Sequence, residues 1–137
     1  MFLALTLVYS LIIGFMIFFM SVVTPSVFKT LDETNSRKFL RFIFPRMFMY
    51  GFILSFAALL LSIYIKDQLL ILISISISIL FLINTYFITP KINFHRDQFN
   101  DGIMDSEKVF KRYHLISVII FLVQLISSIS AIIINNL

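Results

Sequence analysis

Four long apolar stretches, none of which contains a charged residue, most constrain what this chain can fold into. They cover residues 2–23, 47–65, 69–89 and 115–134. At about 1.5 Å per residue the first would form a helix about 33 Å long, more than a bilayer hydrocarbon core of about 30 Å. We therefore predict an all-α fold, an integral membrane four-helix bundle with these stretches as its spans.

The composition indicates that lipid is the solvent of a single membrane domain over residues 1–137. Hydrophobic residues make up 60% of the chain and charged residues only 13%, whereas soluble domains carry about 25% charged residues. The first stretch has no basic n-region and is too long for a signal peptide, so we expect a retained helix. Cysteine is absent, which excludes disulfides and thiolate chemistry.

The Lys and Arg residues predict the orientation. Of eleven, ten lie in the two loops that follow the first and third stretches, and only Lys66 lies in the turn after the second. The positive-inside rule therefore places both loops in the cytoplasm and the N and C termini outside. Because the composition looks bacterial, we expect the bacterial inner membrane. The basic residues are then expected to face anionic head groups, not nucleic acid.

The first loop has the pattern of a short amphipathic helix at the membrane interface, over residues 35–44. Its basic side chains fall on one face and its apolar side chains on the other: Arg37, Lys38 and Arg41 against Phe39, Leu40, Ile43 and Phe44. We expect Asp32, Thr34 or Asn35 to cap this helix. Pro45 is then expected to begin the second span, where a missing N–H matters little.

The second loop predicts a turn followed by a helix. Residues 100–102, with the sequence Asn-Asp-Gly, form a turn signal. Asp105 or Ser106 is then expected to cap a helix that runs through Glu107 and Phe110 into the fourth span.

The pair Thr-Pro occurs twice, as Thr24 with Pro25 after the first stretch and as Thr89 with Pro90 at the end of the third. Each pair precedes a basic loop and a returning helix, so a repeat would be a parallel one about the membrane normal. Two short pairs are thin support, and we interpret them as coincidence.

Small residues spaced four or three apart predict the seams at which the helices pack, because small side chains let backbones approach in lipid. Gln124, near the middle of the fourth span, is expected to hydrogen-bond between helices. The predicted seams are Thr6, Ser10 and Gly14 in the first span, Gly51, Ser55, Ala58 and Ser62 in the second, Ser74 and Ser78 in the third, and Ser127 with Ala131 in the fourth.

No group of residues predicts catalysis, a cofactor or a metal. His95 and His114 would have to face each other inside the bundle to ligate haem, and both lie at the ends of spans. The acids of the second loop favour a solvated surface over a metal site because Gly102 interrupts them. We therefore assign no catalytic, cofactor-binding or metal-binding residue and do not expect an enzyme.

Helix-breaking and polar residues gather near the predicted cytoplasmic ends of all four spans. Carbonyls freed by proline need partners in lipid, which side chains such as Asn84 can supply. We expect the His114 end of the fourth helix to pack against the Asn84 end of the third and the Pro25 end of the first. The candidate pocket or packing cluster is Pro25, Phe28, Pro45, Asn84, Pro90, Arg96, Phe110, His114 and Ser117.

These residues resemble a known family. Over nearly the whole chain, the order and spacing are similar to those of the transmembrane-protein-205-like family. That family is an uncharacterised four-helix membrane domain, and its eukaryotic namesake is associated with drug resistance and vesicle traffic. The resemblance implies no catalytic residue. The matching motifs are residues 25–28, Phe44 with Pro45, Asn84 with Pro90, and Phe110 with His114 and Ser117.

The sequence favours a binding or accessory membrane module with a cytoplasm-facing pocket. Its expected partners are the lipid bilayer and either a second copy of the chain or another membrane protein. An oligomeric transporter or channel protomer for a small solute is one alternative. That function needs polar groups at mid-membrane, where only Gln124 and serines occur. A haem-linked membrane enzyme acting through His114 is the second alternative, and it needs a convergent catalytic constellation.

Overall fold

Four continuous helices make up nearly the whole chain in the computed structural model, which describes all 137 residues. Each helix is long and apolar enough to cross a membrane, and the structure contains no strand, which confirms the predicted helical class and the number of spans. Five-residue π-helical turns, Phe19–Val23 and Asn84–Ile88, interrupt the first and third helices. The α-helical elements are α1 (Phe2–Phe18), α2 (Thr24–Thr30), α3 (Glu33–Ile65), α4 (Gln68–Ile83), α5 (Thr89–Asn100) and α6 (Ser106–Asn136).

The helices form a ring in which α1 packs against α3 and α6, and α4 packs against the same two. One end of the bundle, which we call the basic end, carries the connections from α2 to α3 and from α5 to α6, with ten of the eleven Lys and Arg residues. The opposite, terminal end carries both chain termini and the turn at Lys66. There the Asn135 side chain donates to the Phe2 carbonyl at 2.9 Å and to the Thr6 hydroxyl at 2.8 Å.

The separate interfacial helix predicted over residues 35–44 is wrong, because α3 runs unbroken through Pro45. Proline removes one backbone hydrogen bond, which costs about 3 kcal/mol in a helix interior. Packing outweighs that penalty here, since Leu40, Phe48 and Gly51 are buried on one face that continues past the proline. The predicted capping group is Asp32, whose carboxylate accepts from the Asn35 N–H at 2.9 Å.

The turn and the helix start predicted in the second loop are both present. Residues 101–105 form a turn in which Gly102 has a φ of +88°, a left-handed conformation that favours glycine. The fourth helix then begins at Ser106 and continues to Asn136, with Asp105 at the N-cap position but without a capping side-chain bond.

Each π-helical turn lies immediately before one of the two Thr-Pro pairs. The Thr24 N–H donates to the Phe19 carbonyl and the Thr89 N–H to the Asn84 carbonyl, in both cases across five residues. A wider turn relieves the clash of a proline ring with the preceding helical turn, and π-bulges are a known form of that adjustment. The two pairs that we interpreted as coincidence therefore share one local structure.

The core of the terminal half is a seam of buried hydroxyls between apolar side chains. The Tyr9 and Ser74 hydroxyls share a hydrogen bond of 2.6 Å, and Ser74 meets Ser62 at 3.2 Å. Ser78 donates to Ser55 at 2.9 Å, which joins α4 to α3 a turn further on. The predicted seams of the second and third spans are thus confirmed, and all their members are buried.

The seams predicted for the first and fourth spans are each partly wrong, and in the first only Thr6 lies at a helix contact, where it accepts from Asn135. Ser10 and Gly14 are exposed, and the first helix turns its larger apolar side chains inward. Those residues are Leu5, Tyr9, Ile12 and Met16, at helical spacing. In the fourth span Ala131 is buried, but its polar neighbours in the core are Gln124 and Ser128 instead of Ser127. The Gln124 side chain donates to the Ile77 carbonyl at 3.3 Å, which is the expected bond between helices.

Replacing Gly51 with Ala should lower the free energy of unfolding by about 1–3 kcal/mol, the usual effect of overfilling a core. A Cβ there would overlap the ring of Phe81, which is fully buried and packed against Phe15. Gly14→Ala is the matched control, since its Cβ would meet no atom within 4 Å. Thermal or denaturant unfolding in detergent measures both variants. Equal stability of the two would contradict the close contact of α3 with α4.

Candidate functional site: the basic-end cavity

A cavity of about 440 Å³ opens among the four helices at the basic end, and we call it the basic-end cavity. Its volume lies within the range of about 300–1,000 Å³ that is usual for small-molecule sites. The first helix, α3, α5 and α6 all contribute to its walls. The lining residues that carry the argument below are Phe28, Arg37, Arg41, Thr89, Arg96, Phe110, His114 and Ser117.

The cavity exists because the first helix separates from the fourth beyond its π-helical turn. In the terminal half α1 packs along α6, but no Cα of residues 19–30 lies within 8 Å of a Cα in α5 or α6. Of the other helices, the α2 segment packs only against α3. The space left between α2 and α6 is the cavity, and Met20 and Leu122, both partly exposed, stand on its two sides.

The deep walls of the cavity are mainly aromatic and apolar. Phe19 packs against Phe44 with ring centroids 5.3 Å apart, and Phe44 stacks with Phe48 at 6.0 Å. Along α6 the lining extends from Phe110 to Leu122, a distance of about 18 Å at about 1.5 Å per residue. Such a slot is long, narrow and suited to an apolar ligand.

Three arginines line the cavity toward the loops. Arg37 forms an ion pair with Glu33, and Arg41 forms one with Asp97 at 2.5 Å. Arg96 has no carboxylate within 4 Å and donates no hydrogen bond to the protein. No Asp or Glu is among the lining residues. The cavity therefore carries a net positive charge at its mouth.

A stack of three side chains connects the charged mouth to the interior. The Arg96 guanidinium lies over the Phe110 ring, with Cζ 4.5 Å from the centroid, which is cation–π geometry. Phe110 stacks in turn with His114 at 6.0 Å, with 17° between the ring planes. Ser117 lies almost one helical turn deeper on the same wall of α6.

The structure brings five of the nine candidate residues to this cavity: Phe28, Arg96, Phe110, His114 and Ser117. The other four do not line it. Pro25 and Pro90 are exposed on the outside of their helices, and Pro45 is half-buried within α3. Asn84 is fully buried in the π-helical turn below Thr89, and neither atom of its amide has a hydrogen-bond partner in the protein.

The expected packing of the His114 end of α6 against the Pro25 end of the first helix is wrong, and its packing against the Asn84 end stays a prediction. The α6 helix contacts the π-helical turn that contains Asn84, but His114 and Asn84 share no hydrogen bond. The Pro25 segment does not touch α6, because α2 leans toward α3 and leaves the cavity between them. The helix-breaking residues thus do not gather at one contact. They lie where the helices diverge.

Of the eight lining residues named above, three were not predicted as part of a site. Arg37 and Arg41 were assigned to head groups because residues 35–44 were read as a separate helix, although the same wheel shows both arginines on one side. Thr89 lines the cavity and is buried, and its position directly before a proline is the signal that could have identified it.

The fold and the cavity together define a four-helix protein with helices suited to a membrane and a basic, largely apolar cavity at one end. The chain belongs to the family described as a domain of unknown function, DUF4149, whose model matches residues 7–100. The match includes all three cavity arginines but ends before Phe110, His114 and Ser117. Comparison with curated proteins and with solved structures gives no match.

The natural chain contains no cysteine, so a single introduced thiol reports access to the cavity without background. Ser117→Cys should react with a small water-soluble maleimide about tenfold or more faster than Ser128→Cys, because thiol reactivity follows exposure. Ser117 lines the cavity, whereas Ser128 is fully buried in the core of the same helix. Mass spectrometry of the labelled protein in detergent gives both rates. Equally slow labelling would mean that the cavity is closed to water.

Proposed function

We propose that this protein is a small integral membrane protein that works by binding, as an accessory module with a ligand cavity open to the cytoplasm. The observation that carries this proposal is the basic-end cavity, with its apolar walls and arginine-lined mouth. His114 has no carboxylate beside it in the lining to complete an acid–base pair. The arrangement favours holding a ligand over making or breaking bonds in one.

The cytoplasmic orientation rests on the charge asymmetry of the bundle. Ten of the eleven Lys and Arg residues are at the basic end, and such a bias sets the orientation of membrane helices. We place this end in the cytoplasm, at the inner membrane of a bacterium. Exposed basic side chains outside the cavity, such as Lys38, Lys108 and Arg112, would face anionic head groups.

The core of the bundle supports binding over transport and over haem chemistry. In the terminal half the buried hydroxyls bond to one another or to helix carbonyls, and apolar side chains fill the space between them. In a single copy the basic-end cavity thus has no polar path beyond it, so transport would require several copies. His95 stacks with Tyr113 at 5.7 Å outside the cavity lining, apart from the surroundings of His114.

The resemblance to the transmembrane-protein-205-like family remains part of this proposal. Five of its motif residues line the cavity, namely Phe28, Phe44, Phe110, His114 and Ser117, which supports the resemblance. Four others do not line it: Pro25, Pro45, Asn84 and Pro90. The drug-resistance and trafficking associations of the eukaryotic namesake are properties of that protein. What we carry over is only the four-helix membrane domain.

Alkaline phosphatase fused after Leu137 should be active in bacteria, because the terminal end would lie in the periplasm. The same enzyme inserted into the turn at residues 101–105 should be inactive, since that turn belongs to the basic end. Activity assays on whole cells with matched expression compare the two fusions. The opposite pattern of activity would overturn the cytoplasmic orientation.

A cavity that binds a ligand should lose it when a large side chain fills the space. Ser117→Trp should no longer co-purify with the small molecule that the wild type retains in mild detergent. Mass spectrometry of the extract measures the retained molecule in both proteins. Ser76→Trp is the control, because Ser76 is exposed on α4 outside the cavity. Recovery of the same molecules from both variants, or of none from the wild type, would contradict the binding function.

A further inference from the structure

We propose that the basic-end cavity binds one molecule of an anionic phospholipid. Its phosphate would lie at Arg96, and one acyl chain would lie between α2 and α6. This assignment rests on the proposed function of the cavity as a binding site, and it names the class of ligand.

The positive charge at the mouth of the cavity is not balanced by carboxylates. Arg37, Arg41 and Arg96 face two carboxylates, those of Glu33 and Asp97, which leaves one positive charge without a partner. That charge belongs to Arg96, whose one recorded partner is the face of Phe110. The face of an aromatic ring does not accept a conventional hydrogen bond, so the five N–H donors of the guanidinium remain free to bind phosphate oxygens.

The apolar part of the cavity lies where an acyl chain could enter it. The slot runs about 18 Å along α6 from Phe110 to Leu122, from the level of the arginines to the middle of the helix bundle. Its open side lies between α2 and α6, where Met20, Val118 and Leu122 are exposed to the surroundings of the bundle. A phosphate at one end and a lateral exit for a chain at the other match a phospholipid.

Anions without an acyl chain fit the cavity less well. A free phosphate would satisfy Arg96 but leave the aromatic walls of Phe19, Phe44 and Phe48 without a partner. A volume of about 440 Å³ is too small for both chains of a phospholipid. One chain therefore occupies the slot, and the second remains in the bilayer.

Titration of the delipidated protein in detergent, read by native mass spectrometry, tests the proposal. Phosphatidylglycerol and phosphatidylcholine with identical chains are the probes. The wild type should retain one phosphatidylglycerol in preference to phosphatidylcholine. Arg96→Gln should weaken retention of phosphatidylglycerol about tenfold or more, the effect of losing a charge-assisted hydrogen bond. Arg112→Gln, which removes an exposed charge outside the cavity, should retain it as the wild type does.

Three outcomes would overturn the lipid assignment: equal retention by the two arginine variants, equal retention of the two lipids by the wild type, or displacement of phosphatidylglycerol by inorganic phosphate at equal affinity. The lipid comparison uses the wild type alone, so it decides the matter even if Arg96→Gln fails to fold. A different molecule that co-purifies with the wild type and is lost in Ser117→Trp would leave the binding function standing and reject the lipid. Absence of any cavity ligand would reject both.

Discussion

A backbone that crosses a membrane has no water to bond with, so each of its N–H and C=O groups needs a partner inside the protein. This constraint keeps the four helices continuous although three prolines lie within them. At Pro25 and Pro90 the helix widens into a π-helical turn, and the preceding threonine N–H reaches back five residues. The two helices thus accommodate Pro25 and Pro90 by a local change of helical pitch. Such a change alters the direction of the helical segment that follows.

The two halves of the bundle differ in how they meet that constraint. In the terminal half, serine hydroxyls bond across helices, and the buried glycine of α3 lets the Phe81 ring lie directly on the backbone. These contacts need close approach and leave the interior filled. In the basic half, large aromatic side chains occupy the equivalent positions and the first helix is held away from the fourth. The cavity is what remains where close packing stops.

Much of the fold could be predicted from the sequence, and less of the site. Charge-free apolar stretches give the number of helices, and the small residues of α3 and α4 give their shared seam, because both follow from what lipid excludes. The prediction at Pro45 was wrong, because local propensity favours a helix start where the inward face of Leu40 and Phe48 continues. Phe110 and His114 were found by their spacing. Arg41 was not predicted to line the cavity, because that depends on which way α3 faces in the bundle. The spacing of residues along one helix does not give that orientation.

The same π-helical turn has opposite consequences in the first and third helices, and the connections that follow explain why. Beyond Asn84, α5 is tied to α6 through Ser106, which bonds to Gln98 at 3.2 Å, and through Tyr113, which accepts from Lys91 at 3.2 Å. Beyond Phe19, α2 is tied to α3 instead, where the Ser36 hydroxyl donates to the Val27 carbonyl at 3.3 Å. Nothing ties α2 to α6. Both segments that follow a π-helical turn are thus bonded to the next helix in the chain. This arrangement leaves one gap, which lies between the first helix and the fourth.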